Sequence, residues 1–214
     1  GKTDINITLE KNIDLTGKDW TPIGTDYDNS YKGTFDGGGH TITGLTFTTN
    51  DEYAGLFGWL NRAGTVKNVV MEGVQITSNQ IYGGSIGGVV GYSWGTIENC
   101  SVSGSVSGTK CVGGVVGAQK AGSITGCSSS ATVKGTVDVG GVAGEKWGSM
   151  TACYATGNVT LEIDSPKNLS GGGLVGFNGG SSVLACYATG NVTSTGSSTG
   201  NVHIGGFWEI TTPP

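Results

Sequence analysis

The feature that most limits what this chain can become is a five-residue core, Gly-Gly-apolar-apolar-Gly, that keeps returning. It stands at Gly87-Gly88-Val89-Val90-Gly91, Gly113-Gly114-Val115-Val116-Gly117, Gly140-Gly141-Val142-Ala143-Gly144 and Gly172-Gly173-Leu174-Val175-Gly176. Ala54-Gly55-Leu56-Phe57-Gly58 opens the series, and Gly205-Gly206-Phe207-Trp208 begins a copy that is cut short. The last glycines of the full copies are 33, 26, 27 and 32 residues apart, a spacing that suits one coil of a solenoid. Further columns follow each core. Val66, Ile97, Ile124, Met150 and Val183 form one; Val69, Cys100, Cys127, Cys153 and Cys186 form the next; Val106, Val133, Val159 and Val192 form a third. Residues 152–160 recur letter for letter at 185–193, so these are internal copies.

Between the glycines, short apolar stretches alternate with Ser and Thr, and no 3.6-residue period is present, which implies strands. Strands this short cannot bury a face alone. Coils stacked about 4.8 Å apart set identical positions above one another and create a continuous core. The predicted fold is therefore all-β: a right-handed parallel β-helix of about six to seven coils. One continuous domain is expected, with residues 1–53 as N-terminal capping coils, 54–204 as five repeats, and 205–214 as a truncated last repeat and tail. Gly104, Ala131, Gly157 and Gly190 leave room where the coil narrows, so a large side chain there is expected to be badly tolerated.

The segment ahead of the repeats carries Trp20-Thr-Pro-Ile-Gly24 and Tyr31-Lys-Gly-Thr-Phe-Asp-Gly-Gly-Gly-His-Thr-Ile42. This turn, followed by Gly-Leu-Phe-Gly and then the Gly-Gly-Leu/Val-Val-Gly units, resembles the GLUG-motif repeat proteins of bacterial surfaces over roughly residues 20–208. Similar repeats occur in adhesin-like proteins and beside the protease domain of IgA-specific metallopeptidases. The resemblance implies a β-helix on an exported or cell-surface protein, and it implies no reaction.

Charge narrows the partners. A formal charge of −5 with one arginine, Arg62, and no basic run offers little to nucleic acid or an anionic membrane. No apolar run approaches a membrane span, so no membrane insertion by this domain is expected. Gly1 before a polar start reads as the scar of a removed tag.

The Val69, Cys100, Cys127, Cys153, Cys186 column reads as an inward core ladder of small hydrophobes. Parallel neighbours there hold their Cβ vectors side by side, not converging to the roughly 3.8 Å of a disulfide. A linear ladder also cannot surround zinc tetrahedrally, so no metal or other cofactor is expected. Ser85, Cys111, Asp138, Ser170 and His203 form another column that looks catalytic. At about 4.8 Å per coil, however, Cys111 and His203 stand about 14 Å apart, too far for a nucleophile and its base. The expectation is a polar column facing outward. His40 lies in a glycine turn, where a ring hydrogen-bonded to nearby backbone accounts for it without chemistry; Asp26, Asp28, Asn29 and Asp36 lack the spacing of a calcium loop, so a solvated turn accounts for them. Glu98 and Glu145 sit at different offsets in their copies and cannot stack into a glycosidase pair. The chain is expected not to be an enzyme.

Two places invite a ligand. The longer copies carry their extra residues at 78–85, 161–170 and 194–203, as edge loops that either bind or are merely solvated. Trp94 and Trp147 precede Gly95 and Gly148, with Ala121 between them in register and Trp59, Tyr92 and Phe177 nearby. These rings either bracket a sugar or peptide side chain or shield a tight turn. The leading expectation is a monomeric adhesion or ligand-binding module at a bacterial cell surface, directed to a glycan or a host or surface protein. A rigid spacer is the alternative, and a polysaccharide-cleaving enzyme comes after it. Phe207 and Trp208 are expected to cap the open end, and deleting 205–214 to promote self-association.

Overall fold

The computed structural model describes residues 3–81, 83–163, 169–197 and 200–206, and every regular element among them is a β-strand. One coil shows the design. Val90–Ser93, Thr96–Glu98, Ser101–Ser107 and Lys110–Gly113 follow one another as four strands, each paired in parallel with its counterparts above and below. Val90 lies between Phe57 and Val116, Ile97 between Val66 and Ile124, Val106 between Ile76 and Val133, and Val112 between Ile86 and Val139. The sheet through Thr96–Glu98 climbs seven levels. The chain is a parallel β-helix, and the N-terminal segment joins the same stacks, with Ile7 and Phe35 continuing the Val66 column and Ile13 and Ile42 the Met71 column.

The predicted columns form the core. Val66, Ile97, Ile124 and Met150 are buried, as are Val69, Cys100, Cys127 and Cys153; Cys186, on the last described coil, is half-buried. All five cysteines are free thiols. Two of the sulfurs accept from the coil beside them: the Cys100 amide donates to Cys127 Sγ at 3.4 Å and the Cys153 amide to Cys186 Sγ at 3.3 Å. Space is as tight at the narrowing as the sequence suggests, since a Cβ on Gly157 would sit 2.0 Å from the Ala131 carbonyl oxygen. Phe207 and Trp208, the expected cap, lie outside the described residues.

Just before the cysteine column the backbone turns through the left-handed region at Asn68, Asn99, Gly126, Ala152 and Ala185, with φ of 54°, 50°, 63°, 53° and 52°. The first two are asparagines that tolerate it and stack their amides, Asn99 Nδ2 donating to Asn68 Oδ1 at 3.3 Å and Asn68 Nδ2 to Asp36 Oδ1 at 2.9 Å. The two alanines hold the same conformation without such help.

The closing glycine of each core lies within its strand, in the corner where that sheet approaches its neighbour. A Cβ on Gly144 would lie 2.5 Å from Cys111 C and Val112 N, and one on Gly117 would lie 2.3 Å from Ile86 N. Only a bare Cα lets the sheet through Val116–Gln119 lie back against the sheet through Lys110–Gly113. Two polar side chains near this corner are fully enclosed: Gln119 and Lys146 are both 0% exposed and stand on adjacent rungs. Gln119 Nε2 donates to the carbonyls of Gly95 and Ala121. Lys146 Nζ donates to Asn178 Oδ1 at 2.9 Å and to the carbonyls of Gly180 and Ser181, tying its coil to the next turn. Burial draws this ammonium down to about 8.

Candidate functional site

The strand following each Gly-Gly core presents one column to the outside: Trp59, Tyr92, Ala118, Glu145 and Phe177, in register. Trp94 and Trp147 sit two residues beyond Tyr92 and Glu145, at the next turn. The five aromatic residues singled out from the sequence therefore share a face, in two groups.

Trp59, Tyr92 and Trp94 belong to the first, together with Tyr27 and Tyr53, which the sequence reading passed over. Trp59 is its centre, with ring centroids 4.3 Å from Tyr92, 4.7 Å from Tyr53, 5.9 Å from Trp94 and 6.1 Å from Tyr27. It is only 8% exposed, and its Nε1 finds no acceptor among the described residues. These rings are edge-on or tilted to one another, the arrangement their quadrupoles favour, and they cover the corner.

Trp147 and Phe177 form the second group, 6.0 Å apart, on a groove of about 430 Å³ also lined by Lys110, Lys120, Asp138, Glu145, Ser170 and His203. Here Ala118 and Glu145 replace rings in the column, so the groove stays open and charged. Trp147 is 43% exposed. Its Nε1 donates to Glu145 Oε1 at 2.5 Å, Lys120 Nζ pairs with the same oxygen, and the Lys120 ammonium lies 6.0 Å from the indole centroid. The other carboxylate oxygen, Oε2, accepts from Cys111 Sγ at 3.3 Å.

The Ser85, Cys111, Asp138, Ser170, His203 column has the register read from the sequence, but its solvent-facing character does not hold. Ser85, Cys111 and Ser170 are buried, Cys111 to 3% exposure. They point away from the helix interior and are then covered by the neighbouring sheet, which the glycine corner brings down on them. That closure also delivers Glu145, a residue the sequence places at an unrelated offset. Cys111 Sγ and one oxygen each of Asp138 and Glu145 all lie within 4.8 Å of one another. Burial, aided by Glu145 and Asp138, pushes the Cys111 thiol well up. Burial and then Glu145 raise Asp138 to about 6. Burial would raise Glu145 too, but Lys120, Trp147 and Cys111 together outweigh it and hold that carboxyl below its ordinary value. The sequence clue to Glu145 is an acid standing in an otherwise aromatic or small column.

The remaining candidates are simpler. Asp26 Oδ1 accepts from the amides of Asp28 and Asn29, and Asn29 Nδ2 binds both its oxygens, so this carboxylate closes its own turn. His40 ends a turn in which its amide donates to the Gly37 carbonyl at 2.8 Å. The stems of the two later edge loops run side by side, with Leu161 paired to Ser194 and Leu169 to Val202; residues 164–168 and 198–199 of those loops lie outside the described residues.

Comparison with known proteins fits this architecture. The model of the GLUG motif matches residues 82–107, 108–134 and 168–193. Halomucin of Haloquadratum walsbyi is 38% identical over 120 residues, and a protein of Evansella cellulosilytica named as a Gly-rich membrane protein is 36% identical over 100 residues. These matches take in 51% and 45% of this chain but 1% and 11% of the relatives. A crystal structure of a Bacteroides ovatus protein named for immunoglobulin A1 protease superposes with a TM-score of 0.61, over 96% of this chain and 79% of that one, at 21% identity; at that identity the likeness is one of fold. The chain thus carries GLUG-motif repeats at 82–134 and 168–193 within a parallel β-helix.

Proposed function

We propose that this domain is a monomeric, non-enzymatic binding module of a larger protein displayed outside the cell, with carbohydrate as its ligand class and the groove at Trp147 as its contact. Display at a surface is supported by the kinds of protein that share the repeats, halomucin and a Gly-rich membrane protein among them. The observation that carries the ligand class is Trp147 itself. A large indole left 43% exposed beside Phe177, with carboxylates and ammonium groups around it, offers a stacking face for a sugar ring and hydrogen-bonding partners for its hydroxyls. A non-catalytic reading is supported by how Glu145 is engaged, with Oε1 held by Lys120 and Trp147.

A broad glycan array tests this with the intact chain beside Trp147→Ala and Trp94→Ala. Binding that is lost in Trp147→Ala and kept in Trp94→Ala is the expected result. Equal loss in both variants would move the contact to the first aromatic group. Absence of binding by the intact chain would favour the second reading, a rigid spacer. That reading is supported by the small share of its relatives that the chain matches, 1% and 11%, as suits one stretch of a long repeat-built protein.

A further inference from the structure

We propose that Cys111, Asp138 and Glu145 form a binding site for one divalent transition-metal ion of the zinc type, set in the floor of the groove. The site goes beyond the glycan reading and does not depend on it. Cys111 and Asp138 occupy the same position on adjacent rungs, and Glu145 comes to them from the sheet folded against theirs. A tetrahedral ion with metal–sulfur and metal–oxygen bonds of about 2.3 and 2.0 Å needs a sulfur-to-oxygen edge of about 3.5 Å. The Cys111 Sγ to Glu145 Oε2 separation is 3.3 Å, and all three donor atoms fall within 4.8 Å. The ion would take the place of the thiol proton that now lies between sulfur and Oε2, and that proton leaves to solvent.

Three further observations fit a site built for a cation. Lys120 and Trp147 both hold Glu145 through Oε1, which fixes the carboxylate and leaves Oε2 aimed at the sulfur. This is the outer support that orients metal ligands. Charge is nearly balanced as well: a thiolate and two carboxylates face a dication and the Lys120 ammonium, with the exposed Lys110 lining the same groove. The donor set selects among ions, because a thiolate with only two carboxylates suits zinc, cobalt or a similar ion over calcium or magnesium. With three protein ligands the fourth position opens to the groove. The rungs on either side carry Ser85 and Ser170 in place of Cys111 and Asp138, which confines the site to the two middle coils.

The test uses the intact chain, stripped with a chelator and titrated with Co²⁺ without any glycan. One ion per chain is expected, with a thiolate-to-cobalt charge-transfer band that added Zn²⁺ abolishes. Cys111→Ser should remove the band with the fold intact by circular dichroism, since serine already occupies this position one coil earlier, at Ser85. Asp138→Asn and Glu145→Gln should each weaken binding, and Lys120→Met should weaken it about 10-fold by releasing Oε1. Cys186→Ser, which alters the most accessible of the other thiols, should leave the band unchanged. Failure of the intact chain to bind a stoichiometric ion, or a band that survives Cys111→Ser, would overturn the proposal and leave the glycan result untouched.

Discussion

The two ends of the outer column are one backbone with different fillings. At Trp59 and Tyr92 each rung carries a ring, Tyr27, Tyr53 and Trp94 pack around them, and the Tyr53 hydroxyl donates to Glu52 Oε1 at 2.6 Å. At Ala118, Glu145 and Phe177 a methyl group and a carboxylate interrupt the rings, and the same corner becomes a groove with a buried thiol, two acids and two lysines. Similar aromatic residues thus serve opposite ends: in the first region they mostly cover one another, and in the second an indole is left for something else. An aromatic residue at a repeat position says little until its neighbours on the adjacent rungs are known.

The corner glycine is common to both regions, so it should break both alike and with the largest effect. Gly144→Val would drive a side chain into the backbone of Cys111 and Val112. A loss of about 3 kcal/mol or more is expected, read as a lower denaturant midpoint or failure to fold. The contrast itself is sharpened by Trp59→Ala against Trp147→Ala. The buried indole should cost about 3–5 kcal/mol, whereas the exposed one should cost about 1 kcal/mol or less while carrying the larger loss of ligand binding. Equal stability losses would erase the distinction between cover and platform.

Acidity offers a smaller effect confined to the second region. Asp138 is raised from 3.8 to about 6, so the folded chain holds a proton that the unfolded chain has released. That contribution is fully present below 3.8 and is lost as pH climbs through about 6. Glu145, held low, acts in the opposite sense: its contribution exists above its ordinary value and is lost as pH falls. Unfolding midpoints of the metal-free chain should therefore decline between about pH 4 and 6, and Asp138→Asn should flatten that decline. The smallest effect is expected at the left-handed column. Asn68 and Asn99 suit it in the first region and Ala152 does not, so Ala152→Gly should stabilise by about 0.5–1 kcal/mol. Asn99→Gly, which breaks the amide ladder, should not.

The fold was legible because a solenoid repeats its own evidence. Each inward column appears several times in sequence, and Ile97, Ile124 and Met150 or Val106, Val133 and Val159 need only be aligned to be found. The site was legible in part. Trp147 and Phe177 stood out as large residues in a Gly-rich chain, and the Cys111–Asp138 column followed from the repeat register. What connects them did not, because Glu145 reaches Cys111 across a corner between two sheets. Register within a sheet follows from spacing along the chain; closure between sheets depends on how near the Gly117 and Gly144 backbones can come. The enclosed Gln119 and Lys146 were missed for a related reason, since in the sequence they look like ordinary surface residues after a strand.

Lys146 turns that enclosure into a chemical clock for the far end of the helix. The Lys146 amine is sealed beneath the turn at Asn178, Gly180 and Ser181, out of reach of reagents that modify surface lysines. An acylating reagent reaches it only when that turn lifts away. The rate at which Lys146 is modified, set against the exposed Lys110, therefore reports how often the last full coil detaches from the stack.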